Sequence, residues 1–417
     1  MQVFKFGGAS VKDAESVKNI LTVLQKTGVK NTLIVISAMG KTTNALEKVI
    51  HAYFTNKDQV SEAIEASYTY HFDIISILFP EGHPIFETVH TLFKNLKSFL
   101  ERNKSPNYDF VYDQVICYGE LTSTKIVSAF LSENKIKNQW LDARELIKTD
   151  TSYRDAHVDW ETTQKKIQNA VQKDGLFITQ GFIASDENNF TTTLGREGSD
   201  YTGAIFAYCL NAHNLTIWKD VPGVLNADPS VFKNTKLLKR ISYNEAIEMA
   251  FYGASVIHPK TLQPLQRKEI PLYVKSFITP DDLGTFIGKG IQLDPMVACY
   301  IVKKNQILLS LSSIDFSFIM EENISDIFKL LHTYKMKVTM MQNSAISFSV
   351  CIENKFNTLE SLVKKLKATY KVRWNEGVTL LTVRHASSNE RNTLLHGRKV
   401  LLKQENRTVT QYVLKEE

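Results

Sequence analysis

The sequence predicts an α/β domain over residues 1–290, followed by a smaller α+β region of the ferredoxin-like type over residues 297–417. In the first part, nearly continuous apolar runs alternate with helical patterns, which is typical of strands that helices cover on both faces. The stretch GTFIGKGIQLDPM, residues 284–296, is rich in turn residues and predicts a linker. After it, the predicted elements follow the βαββαβ order of a ferredoxin-like unit.

The first domain is expected to contain five short apolar strands: MQVFKF, NTLIVISA, LFITQGFIA, NLTIWKDV and IPLYVKSF. Between residues 58 and 102 the pattern is helical. The apolar residues that share one helix face there are Val89, Leu92, Phe93, Leu96, Phe99 and Leu100. Pro80, Gly82 and Pro84 break this region in two, so we expect a helical hairpin inserted into the α/β domain.

The second region is predicted to hold one complete ferredoxin-like unit, at about residues 306–384. The tail adds a short helix, NERNTLLHG, and two strands, KVLLKQE and TVTQYVLK, that form part of a second copy. The missing first strand of that copy is ACYIVKK, which precedes the complete unit. We therefore expect the complete unit to be inserted in a shortened second unit made of 297–304 and 378–417.

Composition excludes several classes of protein. With 43% hydrophobic and 23% charged residues the chain is of ordinary globular type. It has no signal-peptide pattern and no apolar run near the ~20 residues of a membrane helix, so we expect a cytoplasmic protein without membrane contact. The cysteines are far apart, which argues against zinc and disulfides: Cys117, Cys209, Cys299 and Cys351. The net charge of +6 is mild and favours a solvated face over a nucleic-acid surface.

KFGGAS, residues 5–10, joins the first strand to a helix. Gly7 and Gly8 allow a ligand to approach the backbone closely, and the helix N-terminus behind them favours an anion. Lys5 precedes the turn and is placed to reach a phosphate, unlike the lysine of a Walker motif, which follows the glycines. A turn that only reverses the chain direction would carry the same glycines.

Two further segments place polar side chains near apolar elements. In ISAMGKTTN, Ser37 and Thr43 follow the second strand, at the edge where open α/β sheets bind ligands, although helix capping would also explain the threonine. In CYGELTSTK, Glu120 is predicted at the start of a largely apolar helix. It either complements the helix dipole or contacts a ligand.

The strongest signal is FITQGFIASDENNFTTTLGREGSDYTGA, which begins at residue 177. A strand ends near Phe182, and a polar hairpin returns to a turn with two glycines. Arg196 in this turn offers a planar fork that suits a carboxylate. Ser199 and Asp200 open the next helix; capping alone would explain these two residues, but it would leave the arginine and the glycines unexplained.

Two later segments carry weaker signals. IWKDVPGVLNADPSVF, residues 217–232, is typical of a nucleotide loop or of an ordinary surface loop. FYGASVIHPKTLQPL, residues 251–265, ends one helix and starts another after His258-Pro259. His258 is expected to be a structural cap and not a catalyst, because no nucleophile is near it in sequence.

Together these segments resemble the aspartate kinases of the amino-acid kinase superfamily. KFGGAS, ISAMGKTTN, GELTS, TTTLGREGSDYT, KDVPGVLNADP and YGASVIHPKT occur in the family's order. The C-terminal region is similar to the paired ACT regulatory units of these enzymes. The resemblance implies a three-layer α/β/α catalytic domain that transfers the ATP γ-phosphate to the β-carboxylate of L-aspartate. The product, 4-phospho-L-aspartate, begins lysine, threonine and methionine biosynthesis and, in bacteria, that of diaminopimelate.

The resemblance also implies roles for particular residues. The catalytic residues are Lys5 and Asp200. The aspartate pocket is Ser37, Thr43, Glu120, Phe182, Arg196 and Ser199. The ATP site is Lys5, Gly7, Gly8, Ser10, Lys219, Asp220, Leu225, Ser230 and Ser255, with Mg²⁺ carried by ATP and no direct protein ligand. A remnant effector site is Met340, Met341, Gln342, Asn343 and Ser344, in an ACT region that builds a homodimer.

The sequence departs from the family pattern at several positions. Five residues differ from those that are frequent in the family. Glu197 replaces a glycine, Lys219 a threonine, Leu225 an aromatic residue, Ser230 an arginine and Ser255 a lysine. The last two changes remove cations near the ATP phosphates, and Lys219, Lys233 and Lys260 are near enough in sequence to compensate. Glu197 is expected to point to solvent or to pair with a lysine of the nucleotide loop.

The ACT region departs further, since the turn after the first strand is FIMEEN and Thr339 stands where lysine-inhibited relatives carry an aspartate. We therefore expect lysine inhibition to be weak or absent. No dehydrogenase domain is expected after the ACT region. Two alternatives remain: a kinase for another acidic substrate, such as glutamate or acetylglutamate, and a catalytically silent amino-acid sensor.

Overall fold

The computed structural model describes residues 1–171, 174–254, 257–395 and 397–416. The chain forms two compact units, the first made of Met1–Val224, Leu237–Ile247 and Val256–Pro295. The second is made of Leu225–Lys236, Glu248–Ser255 and Met296–Glu417. Two short segments before residue 290 thus group with the C-terminal part, and the domain limits expected from the sequence stay a prediction.

The elements up to residue 295 alternate between strands and helices. In chain order they are β1 (Gln2–Phe6), α1 (Ala14–Thr27), β2 (Thr32–Ile36), α2 (Thr42–Thr55), α3 (Val60–Leu78), α4 (Ile85–Arg102), α5 (Tyr108–Glu133), β3 (Gln139–Leu141), α6 (Ala143–Leu146), α7 (Trp160–Ala170), β4 (Leu176–Gln180), β5 (Ile183–Ser185), β6 (Thr191–Thr193), α8 (Gly198–Cys209), β7 (Asn214–Lys219), β8 (Arg240–Ser242), α9 (Tyr243–Tyr252), α10 (Pro259–Lys268), β9 (Leu272–Ser276) and β10 (Thr285–Gly288). Two short 3₁₀ turns, Gly8–Val11 and Lys57–Gln59, lie among them.

Eight of these strands form one sheet in the order β3-β4-β2-β1-β7-β9-β10-β8. All neighbours pair in parallel except β9 and β10. Side chains of β1 alternate between the two faces. Phe4 and Phe6 join the core cluster that includes α1, whereas Lys5 lies on the face that packs against Gly203 of α8. Helices therefore cover both faces, which explains why the central strands are continuous apolar runs.

The predicted helical hairpin is confirmed as α3 and α4, which pack against each other and against α2 and α5. The buried face of α4 consists of Ile85, Val89, Phe93, Leu96 and Leu100. The predicted linker at 284–296 is wrong in its first part, because Thr285–Gly288 forms strand β10. The glycines on either side of this segment indicated a loop, but the segment pairs with β8 and β9 and forms a short strand of the sheet.

The C-terminal unit is one antiparallel sheet with helices packed on it. Its elements are β11 (Cys299–Ser313), α11 (Glu321–Thr333), β12 (Lys337–Asn343), β13 (Ser347–Glu353), α12 (Leu359–Leu366), β14 (Tyr370–Arg384), α13 (Ser388–Leu395), β15 (Arg398–Glu405) and β16 (Val409–Glu416). The strand order is β12-β13-β11-β14-β16-β15. Buried residues of α11 and α12 share a core with β11 and β13.

ACYIVKK and the first strand of the complete unit at about residue 306, which are predicted as separate strands, are one 15-residue strand, β11. Its first part pairs with the end of β14, which also pairs with β16, and its second part pairs with β13 and the start of β14. A register irregularity between Lys303 and Leu308 separates the two parts. The ladders are thus consistent with one unit inserted in another. No helix among the described residues is long and apolar enough to cross a membrane.

Candidate active site

Four predicted site segments lie at one edge of the large sheet. The parallel ladders align Phe6 with Ile36 and with Trp218, and Ile36 with Gln180. The segments that follow the ends of β1, β2, β4 and β7 therefore meet where the strands end at their carboxyl side. This is the edge at which open α/β sheets bind ligands.

Lys5, Asp200 and Lys219 form a charged cluster at this edge. The Lys5 Nζ lies 2.6 Å from Asp200 Oδ1, and the Lys219 Nζ lies 3.7 Å from Asp200 Oδ2. Burial of the Asp200 carboxyl would raise its pKa, but the two ammonium groups outweigh that effect and hold the pKa below its ordinary value. The carboxylate is thus charged, and it fixes the Lys5 ammonium.

The glycine turn after β1 packs against the loop after β2. A Cβ at Gly8 would lie 2.9 Å from the carbonyl oxygen of Ala38, and the Gly40 N–H donates to the Gly8 carbonyl at 3.0 Å. Gly7 faces the Lys5 ammonium, since a Cβ there would lie 3.4 Å from Nζ. Ser10, for which ATP binding stays a prediction, has a buried hydroxyl directed at the Trp218 carbonyl, 3.5 Å away.

Two residues of α3, which the sequence did not single out, support these loops. The Tyr70 hydroxyl donates to the carbonyl of Lys12 and also lies against Gly40. The neighbouring His71 is fully buried, and its Nε2 lies 3.3 Å from Thr42 Oγ1, at the start of α2. Burial lowers the pKa of His71 to about 4, so this histidine is neutral. No sequence spacing indicated either contact, because both residues sit in an ordinary helical pattern.

Glu120 lies in the middle of α5, so its predicted place in a first helical turn is wrong. The helix begins at Tyr108 and is capped by Asn107. Because the residues in its middle are buried on all sides, the sequence shows no amphipathic period from which this start could be predicted. Gly119 packs closely against Ala38, since a Cβ added at Gly119 would lie 3.1 Å from the Cβ of Ala38. This contact brings α5 next to the loop after β2. The Ser123 hydroxyl donates to the Ser37 carbonyl at 2.7 Å and fixes the same approach.

The Glu120 carboxyl is buried, and in the described part of the chain its Oε2 has no hydrogen-bond partner. Burial raises its pKa to about 8, and a backbone hydrogen bond from Ala38 opposes this shift in part. A buried acceptor without a partner is costly, so the site is prepared for a cationic or hydrogen-bonding group.

A ligand ammonium at Glu120 requires the charged carboxylate and therefore displaces a proton when the pH is below about 8. For L-aspartate, the substrate that the sequence resemblance implies, we expect the KM to fall as the pH rises from about 6 to about 8, by up to about tenfold per unit, and then to level off. Steady-state assays across this range test the prediction. The Glu120→Gln variant should have a higher KM that no longer follows this trend; a pH-independent wild-type KM would count against the assignment.

Gly181 and Gly198 have no side chains, and this allows the segments that carry Phe182 and Ser199 to pack closely against each other. A Cβ at Gly181 would lie 2.5 Å from the Cβ of Ser199, and one at Gly198 would lie 2.5 Å from Cδ2 of Phe182. Phe182 has φ +72°, and its N–H donates to Thr202 Oγ1 at 2.9 Å. The predicted hairpin between these segments is confirmed as β5 and β6. The turn after β4 thus rests on the N-terminus of α8.

The turn before α8 holds Arg196 in an exposed position. Within the described residues Arg196 makes no hydrogen bond or ion pair. Glu197 was expected to face solvent or a lysine, but its Oε2 accepts the N–H of His258 at 2.9 Å. Glu197 has φ +53°, a left-handed conformation that favours glycine, and this hydrogen bond compensates for its strain. His258 caps α10, as predicted, by accepting the N–H of Lys260.

The remaining nucleotide-site residues are more dispersed. Asp220 is exposed after β7. Leu225 and Ser230 belong to the second unit, where the Ser230 hydroxyl donates to Asp228 Oδ1 at 2.7 Å. Ser255 lies outside the described residues. Of the lysines expected to compensate, Lys219 reaches the cluster at Asp200, whereas Lys260 pairs with Asp155 and Lys233 is exposed in the second unit.

The predicted effector residues lie on β12 and the turn after it. Met340 is 4% exposed and packs in a core with Leu308 and Cys351. Met341, Gln342, Asn343 and Ser344 are exposed. Strand alternation turns Met340 inward and its neighbour Met341 outward.

Comparison with known proteins identifies the family. Residues 1–276 match the sequence model of the amino acid kinase family. The lysine-sensitive aspartokinase 3 of Escherichia coli is 32% identical over 91% of this chain and 86% of its own length. The chain belongs to the amino acid kinase family, and within it to the aspartokinases.

Further relatives of this aspartokinase agree in sequence and fold. The bifunctional aspartokinase/homoserine dehydrogenase 1 of Arabidopsis thaliana is 29% identical over 84% of this chain, which spans only 40% of that relative. The structure of E. coli aspartokinase III with aspartate and ADP superposes with a TM-score of 0.83 at 28% identity, covering 99% of this chain and 96% of the other. The same enzyme with lysine and aspartate gives 0.82 at 28% identity, with coverage of 99% and 95%.

Proposed function

We propose that this aspartokinase transfers the γ-phosphoryl group of ATP to the β-carboxylate of L-aspartate and forms 4-phospho-L-aspartate. The observation that carries the proposal is the buried Lys5–Asp200 pair, 2.6 Å apart beside the glycine turn at the ends of parallel strands. It places a fixed positive charge where backbone amides and a glycine turn can accept phosphate. The step would begin lysine, threonine and methionine biosynthesis in the cytoplasm.

The chemistry depends mainly on positioning and charge. The attacking carboxylate is already ionised at neutral pH, so no general base has to remove a proton. Lys5 and the amides of Gly7 and Gly8 would hold the transferring group, whose charge is spread over several oxygens. Glu120 would take the aspartate ammonium and Arg196 its α-carboxylate. Ser37, Thr43, Phe182 and Ser199 would complete the pocket.

Mg²⁺ would enter with ATP and supply charge compensation on the phosphates. Among the described residues, no group of three histidine, cysteine or acidic side chains could hold a metal ion. The Asp200 carboxylate faces two ammonium groups, an arrangement better suited to fixing lysines than to binding a cation. We therefore assign no protein ligand to the metal.

The C-terminal unit would mediate a homodimer. Large apolar residues are exposed around one end of its sheet: Ile314, Phe316, Phe318, Met320, Met341 and Ile346. Backbone hydrogen bonds from Ser313 to Ile346 and from Ile319 to Ala345 hold these segments side by side. An exposed apolar patch of this kind is typical of a protein interface. Sedimentation of wild type and a Phe316→Asp, Phe318→Asp variant tests this role.

We expect lysine to inhibit this enzyme weakly or not at all. At the position that would hold the effector's ammonium, Thr339 provides no carboxylate, and its hydroxyl donates to the Cys351 carbonyl at 2.9 Å. Initial rates with lysine and threonine, singly and together, test this expectation. Strong inhibition by micromolar lysine would overturn it.

The function itself is tested by ATP turnover with aspartate, glutamate or acetylglutamate, with the acyl phosphate trapped as hydroxamate. We expect hydroxamate with aspartate, and none with glutamate or acetylglutamate. Product with glutamate or acetylglutamate instead would favour another acidic substrate. Absence of product with all three, together with aspartate or lysine binding, would favour a silent sensor.

A further inference from the structure

We propose that Asp113 is a positioning residue, which fixes the turn that carries Arg196 at the distance from Glu120 that an α-amino acid substrate needs. The inference rests on the proposed function, in which Glu120 takes the substrate ammonium and Arg196 takes its α-carboxylate. It is carried by the hydrogen bonds between α5 and the two segments that support this turn.

Asp113 is a fully buried carboxylate that accepts three hydrogen bonds. Its Oδ2 accepts the N–H of Arg154 at 3.0 Å and the N–H of Thr193 at 2.9 Å, and its Oδ1 accepts the Thr193 hydroxyl at 2.7 Å. Burial raises the pKa of Asp113 to about 6, so the carboxylate is ionised at pH 8. A buried charge is costly unless its hydrogen bonds are made, so the three bonds hold both partner segments closely.

The next residue of α5 binds the same strand. The Gln114 amide donates to the Thr191 carbonyl at 2.7 Å, and the Gln114 side-chain oxygen accepts the Thr191 N–H at 3.1 Å. Two consecutive side chains of α5 thus hold the two ends of β6, Thr191–Thr193. Because β5 and β6 form a sheet of two strands, which is only marginally stable by itself, the helix determines where β6 lies.

Asp113 also fixes the segment that lies beside β6. Arg154, whose N–H it accepts, is followed two residues later by Ala156, whose N–H donates to the Thr193 carbonyl at 3.0 Å. These bonds link α5, the segment after Arg154 and the end of β6 in one network. Movement of either segment would break at least one hydrogen bond of this network.

The turn that carries Arg196 begins at this network. Gly195 lies just after β6 and has φ +78°. A Cβ at Gly195 would collide with Asp155 Oδ1 and would lie 3.4 Å from the Arg154 carbonyl oxygen. The turn therefore follows one segment that Asp113 holds and packs on the other. Arg196 is the next residue, and the direction of its exposed side chain depends on this backbone.

The same helix carries Glu120. Asp113 and Glu120 are seven residues apart on α5, which is about two helical turns, so they lie on the same face. A helix is a stiff spacer because each of its turns is hydrogen-bonded to the next. The helix thus bears one proposed substrate ligand directly and fixes the turn that bears the other, Arg196, through Asp113.

Loss of Asp113 should leave the Lys5–Asp200 pair in place. The first turn of α8 is also held from its other side, where the Phe182 N–H donates to Thr202 Oγ1 at 2.9 Å. The effect should therefore appear in the binding of aspartate and not in phosphoryl transfer. A general loss of structure would not separate KM from kcat in this way.

The kinetic test compares Asp113→Ala and Asp113→Asn in the full chain at pH 8. We expect Asp113→Ala to raise the aspartate KM about 30-fold and to change kcat and the KM for ATP less than about threefold. Asp113→Asn keeps one oxygen for the two backbone N–H groups and should raise the aspartate KM only about fivefold. An aspartate KM of Asp113→Ala equal to that of wild type would overturn the inference. If Asp113→Ala does not fold, the same criterion applies to Asp113→Asn.

The control is Ser128→Ala, which removes a hydrogen bond near the other end of α5, from the Ser128 hydroxyl to Asn138 at 2.7 Å. It should match wild type in all three kinetic constants. A second comparison uses the Arg196→Ala background. Because Asp113 acts through Arg196, adding Asp113→Ala there should change the aspartate KM less than about threefold. A further increase of about 30-fold would mean independent effects and would also overturn the inference.

Amide hydrogen exchange without substrate tests the position of the turn independently of turnover. Residues 191–198 should exchange at least about tenfold faster in Asp113→Ala than in wild type, and at the wild-type rate in Ser128→Ala. Unchanged exchange in Asp113→Ala would refute the positioning role. A wild type that phosphorylates no aspartate would refute the proposed function, whereas faster exchange in Asp113→Ala would still show that Asp113 fixes the turn.

Discussion

Replacement of Lys5 by methionine is expected to lower kcat for aspartate phosphorylation about 1,000-fold, with less than about a threefold change in the aspartate KM. The ammonium of Lys5 is 2.6 Å from the buried Asp200 carboxylate, so its position is fixed before substrate arrives. Preorganised charge of this kind lowers the barrier without reorganisation during the reaction. Single-turnover formation of the hydroxamate, with ATP and aspartate both saturating, measures the effect directly.

The same substitution leaves a buried carboxylate with only the more distant Lys219, so the variant should also be less stable, by roughly 3 kcal/mol. The double variant Lys5→Met, Asp200→Asn removes that charge and serves as the matched control. It should recover much of the thermal stability but none of the activity. If the double variant regained activity together with stability, Lys5 would be structural and not catalytic.

The location of the site could be predicted from sequence because the strands that build it are strongly apolar. The runs that became β1, β2, β4 and β7 are buried almost throughout, and each is followed at once by glycine, hydroxyl or charged residues. Parallel pairing then brings the ends of the strands to one edge. For Lys5, Ser37, Phe182 and Lys219, position along the chain was therefore enough to predict proximity.

Other features depend on tertiary contacts that no local pattern contains. Glu120 was placed at a helix start because residues 119–124 are buried on every side, which leaves no amphipathic period to mark where α5 begins. Tyr70 joins Lys12 across 58 residues, and Glu197 joins His258 across 61. Such contacts are set by packing of distant elements, so the sequence gives the residues but not the partners.

Replacement of Arg196 by alanine is expected to raise the aspartate KM about 100-fold and to change kcat less than about threefold. Loss of a charged hydrogen-bonding partner of a bound carboxylate typically costs about 3 kcal/mol. Because Arg196 is exposed and makes no ion pair with the described residues, its removal should leave thermal stability nearly unchanged. The KM change should therefore report substrate binding alone.

Arg196→Lys separates charge from geometry, since a lysine keeps the positive charge but cannot form the two parallel hydrogen bonds of a guanidinium. We expect its KM to lie between those of wild type and Arg196→Ala. Arg102→Ala, an exposed change in the last turn of α4, is the control for loss of a surface arginine. An Arg196→Ala variant with the KM of wild type would mean that another group binds the α-carboxylate. The left-handed turn at Gly195 and Glu197 would then serve to orient α8, with Asp200 in its first turn, and not to present the arginine.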